Sequence, residues 1–294
     1  MRIAASNSSD SHEISDVSAV VPTWNSASRL EKSLEAVEKN LRPRRIIVVD
    51  RDSEDSTPDI ARRHGATVLK DTVSLGSARM KGVRESDTEW VAFIDDDISL
   101  PEGFIEEALG KAGEGVGAVQ GAVRSIHEPY REMLTESYER RFEGRDSFDL
   151  RPGERGLTSA TLVRKVLVED LDLNDMDTWE DWIITQRIID LGFRWVVVRP
   201  FVDHFHPHED LARKAGWNAA GVLNLARTGR MPMGQALRWY LDILIEAPRD
   251  AFRMSVQYGD WRHFIFHMHQ LAHILFAPRH LIGAVPRRPK ATSS

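Results

Sequence analysis

The chain has 294 residues, 41% of them apolar and 29% charged, with no cysteine and a formal net charge of −6. That is ordinary globular material for one large domain with an appendage, and it excludes a disordered chain, a disulfide framework, a thiolate nucleophile and a cysteine zinc site. Charge is unevenly spread: residues 211–294 hold twelve Lys and Arg against four acids, +8, leaving −14 for residues 1–210, so an acidic body carries a basic tail suited to an anionic surface.

Residues 1–16 are rich in Ser and Asn and lack an apolar core. They predict a flexible tail, neither a secretory signal nor an anchor, and the absence of cysteine fits a reducing, cytoplasmic setting. Val17 to Val21 reads as a first buried strand ending at Pro22, with Thr23-Trp24-Asn25 as its loop. Leu30, Leu34, Val37 and Leu41 recur at helical spacing behind Ser26 or Ser28 as N-cap. A second strand, Ile46 to Val49, runs into Asp50. Thr57-Pro58 starts a helix that Gly65 stops, and Thr67 to Leu69 is a third strand. This β-α-β-α-β order with short links predicts a parallel sheet covered by helices. Gly76 to Gly82 opens the next helix; Gly76 permits close backbone approach, and Arg79 could reach a phosphate or an acid on the rim.

Trp90-Val91-Ala92-Phe93-Ile94 is an apolar strand that stops at Asp95-Asp96-Asp97. Strand alternation sends Asp95 and Asp97 to one side and Asp96 to the other, so two acids share a site at the carboxyl end of a strand, where open α/β sheets bind ligands. Like charges that close need a proton or a cation, and oxygen ligands favour Mg²⁺ or Mn²⁺. The plainer alternative is a solvated acidic turn before Pro101. Gly103 to Lys111 then reads as a helix, Val116 to Val123 as a strand, and Glu128 to Arg145 as an exposed helix with a mobile loop. Gly156 to Val163 reads as a glycine-led strand against which a substrate could lie. Trp179-Glu180-Asp181-Trp182 opens a helix stopped by Gly192, with both acids in the first turn, where the helix dipole favours negative charge. Trp195 to Val198 is the last strand.

In this order the pieces resemble the family-2 glycosyltransferases of GT-A fold, over roughly residues 17–200. The resemblance rests on Val20-Val21-Pro22-Thr23-Trp24-Asn25, on Val48-Val49-Asp50 with the Asp52 to Thr57 stretch, on Gly76-Ser77-Ala78-Arg79, on Phe93-Ile94-Asp95-Asp96-Asp97, and on Glu180-Asp181 with Arg187. It implies an α/β catalytic domain over 17–210, a Rossmann-like and mostly parallel sheet covered by helices. It places Pro22, Thr23, Asn25, Asp50, Asp52, Gly76, Arg79, Asp95 and Asp96 around a nucleoside-diphosphate sugar. Asp97, with Asp95 and His204, would hold Mg²⁺ or Mn²⁺ on the diphosphate. Asp181 matches the catalytic base, beside Glu180. Arg51-Asp52 departs from the Asp-Gly frequent at that point of the family, which bears on the local turn and base contacts. A carboxylate taking the proton from an attacking hydroxyl predicts inversion at the sugar. An ionised lipid phosphate needs no base, so Glu180-Asp181 favours a hydroxyl acceptor, such as a lipid-linked glycan of surface glycoprotein or polysaccharide assembly. A polyprenyl-phosphate sugar synthase is the alternative, and a non-catalytic nucleotide- or lipid-binding relative the alternative of another class.

His204, His206 and His208 alternate, so an extended segment would put three imidazoles on one face. Closure of His204 or His206 over the diphosphate competes there with a zinc site. Residues 211–294 predict a basic helical extension. Phe264 to Val285 approaches spanning length but includes Arg279, Pro278 and four histidines, so helices lying on the cytoplasmic face of an anionic membrane fit better than a span; packing on the core or a dimer contact is the alternative. A haloacid-dehalogenase-like phosphatase would carry its acid on the first strand, which here ends Val21-Pro22-Thr23. Nucleic-acid binding conflicts with the acidic body.

Overall fold

The structure, a computed structural model, describes residues 15–128, 130–205 and 208–276. Its strands are β1 (Ser15–Thr23), β2 (Pro43–Asp50), β3 (Thr67–Lys70), β4 (Trp90–Ile94), β5 (Ile98–Ser99), β6 (Val116–Ser125), β7 (Ser147–Asp149), β8 (Ala160–Arg164) and β9 (Arg194–His204). Its helices are α1 (Ala27–Asn40), α2 (Thr57–Arg63), α3 (Leu75–Glu85), α4 (Phe104–Lys111), α5 (Tyr130–Phe142), α6 (Glu180–Asp190), α7 (His208–Arg227), α8 (Met233–Gln257) and α9 (Arg262–Phe276).

One sheet runs in the order β3-β2-β1-β4-β8-β6-β9-β5, with β7 paired to β9. The β3-β2-β1-β4 half is parallel, as expected. β8 then enters antiparallel between β4 and β6, and β6 pairs parallel with β9. The carboxyl ends of β1, β2, β4, β6 and β9 and the amino end of β8 therefore share one rim.

Alternation along the strands builds a core on each face. Val17, Ala19 and Val21 of β1 face α1, α2 and α4 with Leu30, Leu34 and Val37, whereas Val20 joins Phe93 and Val83 beneath α3. Helix α3 lies close because residue 82 is glycine: a Cβ there would stand 2.3 Å from Val20 Cγ1.

Three expectations change. Residues 156–159 are loop, and the strand begins at Ala160. The loop's backbone is satisfied by side chains instead of a ladder: Gln120 Oε1 accepts from the Leu157 amide (2.8 Å) and Thr185 Oγ1 from the Gly156 amide (3.1 Å). Gly156 makes room for protein, since a Cβ would meet the Trp195 indole at 2.5 Å. Strand β9 is much longer than Trp195 to Val198; a register shift near Gly121 lets it pass Pro200 and pair His204 with Ser125. The segment after Glu128 is the expected helix, half-buried or exposed along its length, but its ends, Tyr130 and Phe142, are buried.

The expected boundary at 210/211 falls inside α7. That helix packs on the body: Gly221 lies against Thr178 and Trp179, and Tyr240 of α8 donates to the Ala219 carbonyl at 2.9 Å. Among the described residues no helix is long and apolar enough to cross a membrane.

Candidate active site

Three chain segments deliver acids to the rim. At the end of β4 the chain turns, so Asp95, Asp96 and Asp97 take three different partners instead of alternating as in a strand. Asp95 accepts from Arg79 Nη2 at 2.6 Å and opens into the cleft. Asp96 is clasped by Arg29, Nε at 3.2 Å and Nη2 at 3.1 Å, and by the Ser26 hydroxyl, which therefore does not cap α1. Asp97 is buried with its Oδ1 3.0 Å from His204 Nε2, the contact made possible by the length of β9. His206 and His208 fall outside the residues whose side chains the structure describes, so the alternating triad is seen only at His204.

The second source is the start of α6. Trp179 sits in the left-handed region, φ 64°, a conformation that costs a bulky residue ~1–3 kcal/mol and persists only when neighbours enforce it. Here its indole donates to the Asn218 carbonyl at 2.9 Å and meets Trp239 edge-on, and Arg155 lies 4.3 Å over its ring. The turn aims Glu180 and Asp181 into the same cleft as Asp95, with Arg79, Thr158, Ser159 and His204 on its walls and Asn218 at its edge, in about 230 Å³. Arg79 bridges the two sources: one guanidinium nitrogen holds Glu180, another Asp95. Arg155 grips Asp181 through both oxygens, Nε–Oδ1 2.8 Å and Nη2–Oδ2 2.9 Å.

Burial raises the pKa of Glu180 to about 7 and also raises that of Asp95, the shared Arg79 opposing both shifts. Arg79 is itself pulled down by burial and raised more by Asp95 and Glu180. Five acids (Asp95, Asp96, Asp97, Glu180, Asp181) face three arginines (Arg29, Arg79, Arg155), so with every carboxylate ionised the rim carries two uncompensated negative charges. A divalent cation fits that imbalance. Among the described residues no three His or acidic side chains form a group that could hold a metal ion, so Asp95, Asp97 and His204 do not make a three-ligand site by themselves.

The expected nucleotide wall adjoins the cleft. Pro22 borders both, and Thr23, Trp24, Arg51, Leu75 and Asp177 line the neighbouring hollow. Asp50 is buried with partners inside the chain: Thr23 Oγ1 donates at 2.9 Å, Ser53 Oγ at 2.6 Å and the Ser53 amide at 2.8 Å. Asn25, at φ 47°, bridges to the same turn, accepting from the Glu54 amide at 2.9 Å. Asp52 points away, to Lys70 at 2.7 Å. Gly76 serves the fold: its amide donates to the Met176 carbonyl at 2.8 Å and a Cβ would meet the Leu173 carbonyl at 2.5 Å. The sequence offered no signal for Arg155, Arg29 or Asn218, charged or polar residues of loops and helix faces. Arg51, paired with Asp177 at 3.0 Å, occupies the position where the chain departs from the Asp-Gly pattern.

A mixed sheet of this order with acids gathered on one rim defines the GT-A class of nucleotide-sugar folds. The profile of Glycosyl transferase family 2 matches residues 18–171, and the chain belongs to that family. It is 29% identical over 192 residues, 60% of its length, to the glycosyltransferase AglE of Haloferax volcanii. It is 33% identical over 118 residues, 39% of its length, to an uncharacterised glycosyltransferase of Mycobacterium tuberculosis. The matches span 62% and 53% of those two proteins, less than two thirds of either. Among solved structures, the mannosyltransferase PcManGT of Pyrobaculum calidifontis, in complex with GDP-Man and Mn²⁺, superposes with a TM-score of 0.64 at 17% identity, covering 92% of this chain and 88% of that one. Residues 1–349 of S. aureus TarS, in complex with UDP-GlcNAc, give 0.53 at 18% identity over 71% and 66% of the two chains.

Proposed function

We propose that the chain is an inverting glycosyltransferase that moves a sugar from a nucleoside-diphosphate donor to a hydroxyl acceptor. The observation that carries the reading is that Asp181 and Glu180, from α6, open into one cleft with Asp95 and His204, from the rim of the sheet. Donors bound to fold relatives, GDP-Man and UDP-GlcNAc, support the donor class.

The reaction needs a counter-charge for the departing diphosphate and a group that takes the acceptor's proton. Mg²⁺ or Mn²⁺ on Asp97 and Asp95, with His204 beside them, would supply the first by stabilising charge that develops on the phosphates. The second falls to Asp181, whose carboxylate plane is fixed by the two-pronged grip of Arg155. The base role requires that grip to loosen when the acceptor enters. Such a base is worth about 10²–10⁴-fold. Glu180 anchors Arg79, and Arg79 anchors Asp95, so this pair sets the distance between the two halves of the site.

The acceptor reading follows from the base. An ionised lipid phosphate needs no group to take its proton and a sugar hydroxyl does, so Asp181 in the cleft favours a lipid-linked glycan over a polyprenyl phosphate. The resemblance to the glycosyltransferase AglE supports the transferase reading; with a lipid-linked acceptor the reaction belongs to surface-glycan assembly at the cytoplasmic face of the membrane. Thermal-shift titration of nucleotide sugars with Mn²⁺ tests the donor claim: one donor should raise the melting temperature, and Asp97→Ala should abolish the Mn²⁺-dependent part of the rise. An unchanged rise in Asp97→Ala removes Asp97 from the metal site.

A further inference from the structure

Thirteen of the eighteen large apolar side chains exposed among the described residues lie within 233–276. On α8 they include Leu237, Leu241, Ile245 and Phe252, within about 80° of the circumference at 3.6 residues per turn, opposite Trp239 and Ile243, which pack inward. Trp261 and Ile265 begin a similar stripe along α9, and Ile245 and Ile265 are 70% and 68% exposed. A four-residue turn joins the two helices into a hairpin. A contiguous apolar face of this kind marks an interaction surface.

Charge says which partner. Residues 233–276 hold four arginines and four acids, and three of those arginines are already paired: Arg238 with Asp242 at 3.7 Å, Arg253 with Asp250 at 2.9 Å, Arg262 with Asp260 at 2.6 Å. The +8 of the extension therefore sits entirely in the flanking stretches, four basic residues in 211–232 and four in 277–294, neither with an acid. Arg227 and Arg230 lie where the chain enters α8, Arg230 paired with Asp175 at 2.9 Å; the other six basic residues lie outside those whose side chains the structure describes. We infer that the outer face of the α8–α9 hairpin docks on an anionic phospholipid leaflet, the surface that suits an extension of net charge +8, with its apolar side chains entering the hydrocarbon boundary. Only the purpose of this contact, reach to a lipid-borne acceptor past Asn218 and Trp239, rests on the proposed function.

The test is flotation of the full chain with vesicles of phosphatidylcholine containing phosphatidylglycerol, at low salt and at about 0.5 M salt, where charge contacts beyond ~4–5 Å are screened. The wild type should float in both, and L237S/L241S/I245S/I265S, changed only at exposed positions, should lose at least ~10-fold in bound fraction in both. Equal flotation of the two proteins, or wild-type release by salt alone, overturns the apolar docking face. If neither floats and sedimentation shows a wild-type dimer that the variant dissociates, the face joins two copies and the inference falls. Thermal shift with nucleotide sugar and Mn²⁺ on the same samples separates the readings: the variant should bind donor like the wild type, and absence of donor binding in both counts against the proposed function while leaving the docking result standing.

Discussion

Glu180 is a buried carboxyl at the head of α6. A carboxyl enclosed beside Asp181 keeps its proton to about pH 7, the cation of Arg79 opposing that shift without cancelling it. A group whose pKa is raised on folding adds stability that is full below its unfolded value, near 4.5, and is lost as pH rises through about 7. Glu180→Gln keeps an acceptor for Arg79 and removes this titration. The variant's melting temperature relative to wild type should therefore rise between pH 5 and pH 8, measured with chelator; a pH-independent difference contradicts a buried, proton-retaining Glu180. The pair Glu180-Asp181 was legible in the sequence as acids at a helix start. Arg79 was legible as an arginine able to reach an acid on the rim, though not that this acid is Glu180, 101 residues on; Arg155, which holds Asp181 across 26 residues, carried no signal. Asp50 was legible as a strand-end acid, but its hydrogen bonds to Thr23 and Ser53 depend on how two loops fold together.

At the scale of elements, apolar runs announced β1, β2 and β4 because strands buried on both faces read as continuous Val and Ile. The same rule says nothing about direction, so the antiparallel entry of β8 between β4 and β6 had no local signature. The glycine at the head of that segment was read as room for a ligand, and it is room for Trp195. The last strand was read as Trp195 to Val198; a register shift carries β9 past Pro200 on to His204 and so to Asp97. Close helix-on-sheet packing gives an element-scale prediction. In Gly82→Ala the new Cβ meets a branched, immobile Val20 on β1, and overpacking of this sort costs about 1–3 kcal/mol. Chemical denaturation should show that loss with an unchanged m-value; a neutral substitution would mean that α3 can move off the sheet.

Across the whole molecule, composition gave the division of charge, and along the extension the sequence keeps the basic surplus outside the two helices that expose apolar side chains. The hairpin of α8 and α9 is neutral and apolar outside, while the basic surplus lies on either side of it. Sequence periodicity could place the helices but not say which faces α7 and the body cover. The body presents the complementary design: a doubly covered sheet with buried acids collected on one rim, held apart from one another by arginines. That rim, fed by α6 on one side and β4 and β9 on the other, is what makes sugar transfer the reading of the molecule. Its most direct test is Asp181→Asn, with donor affinity followed by calorimetry and transfer followed at saturating donor. Donor affinity should stay near the wild-type value while turnover falls at least ~10²-fold; a variant that turns over like the wild type would contradict Asp181 as the base.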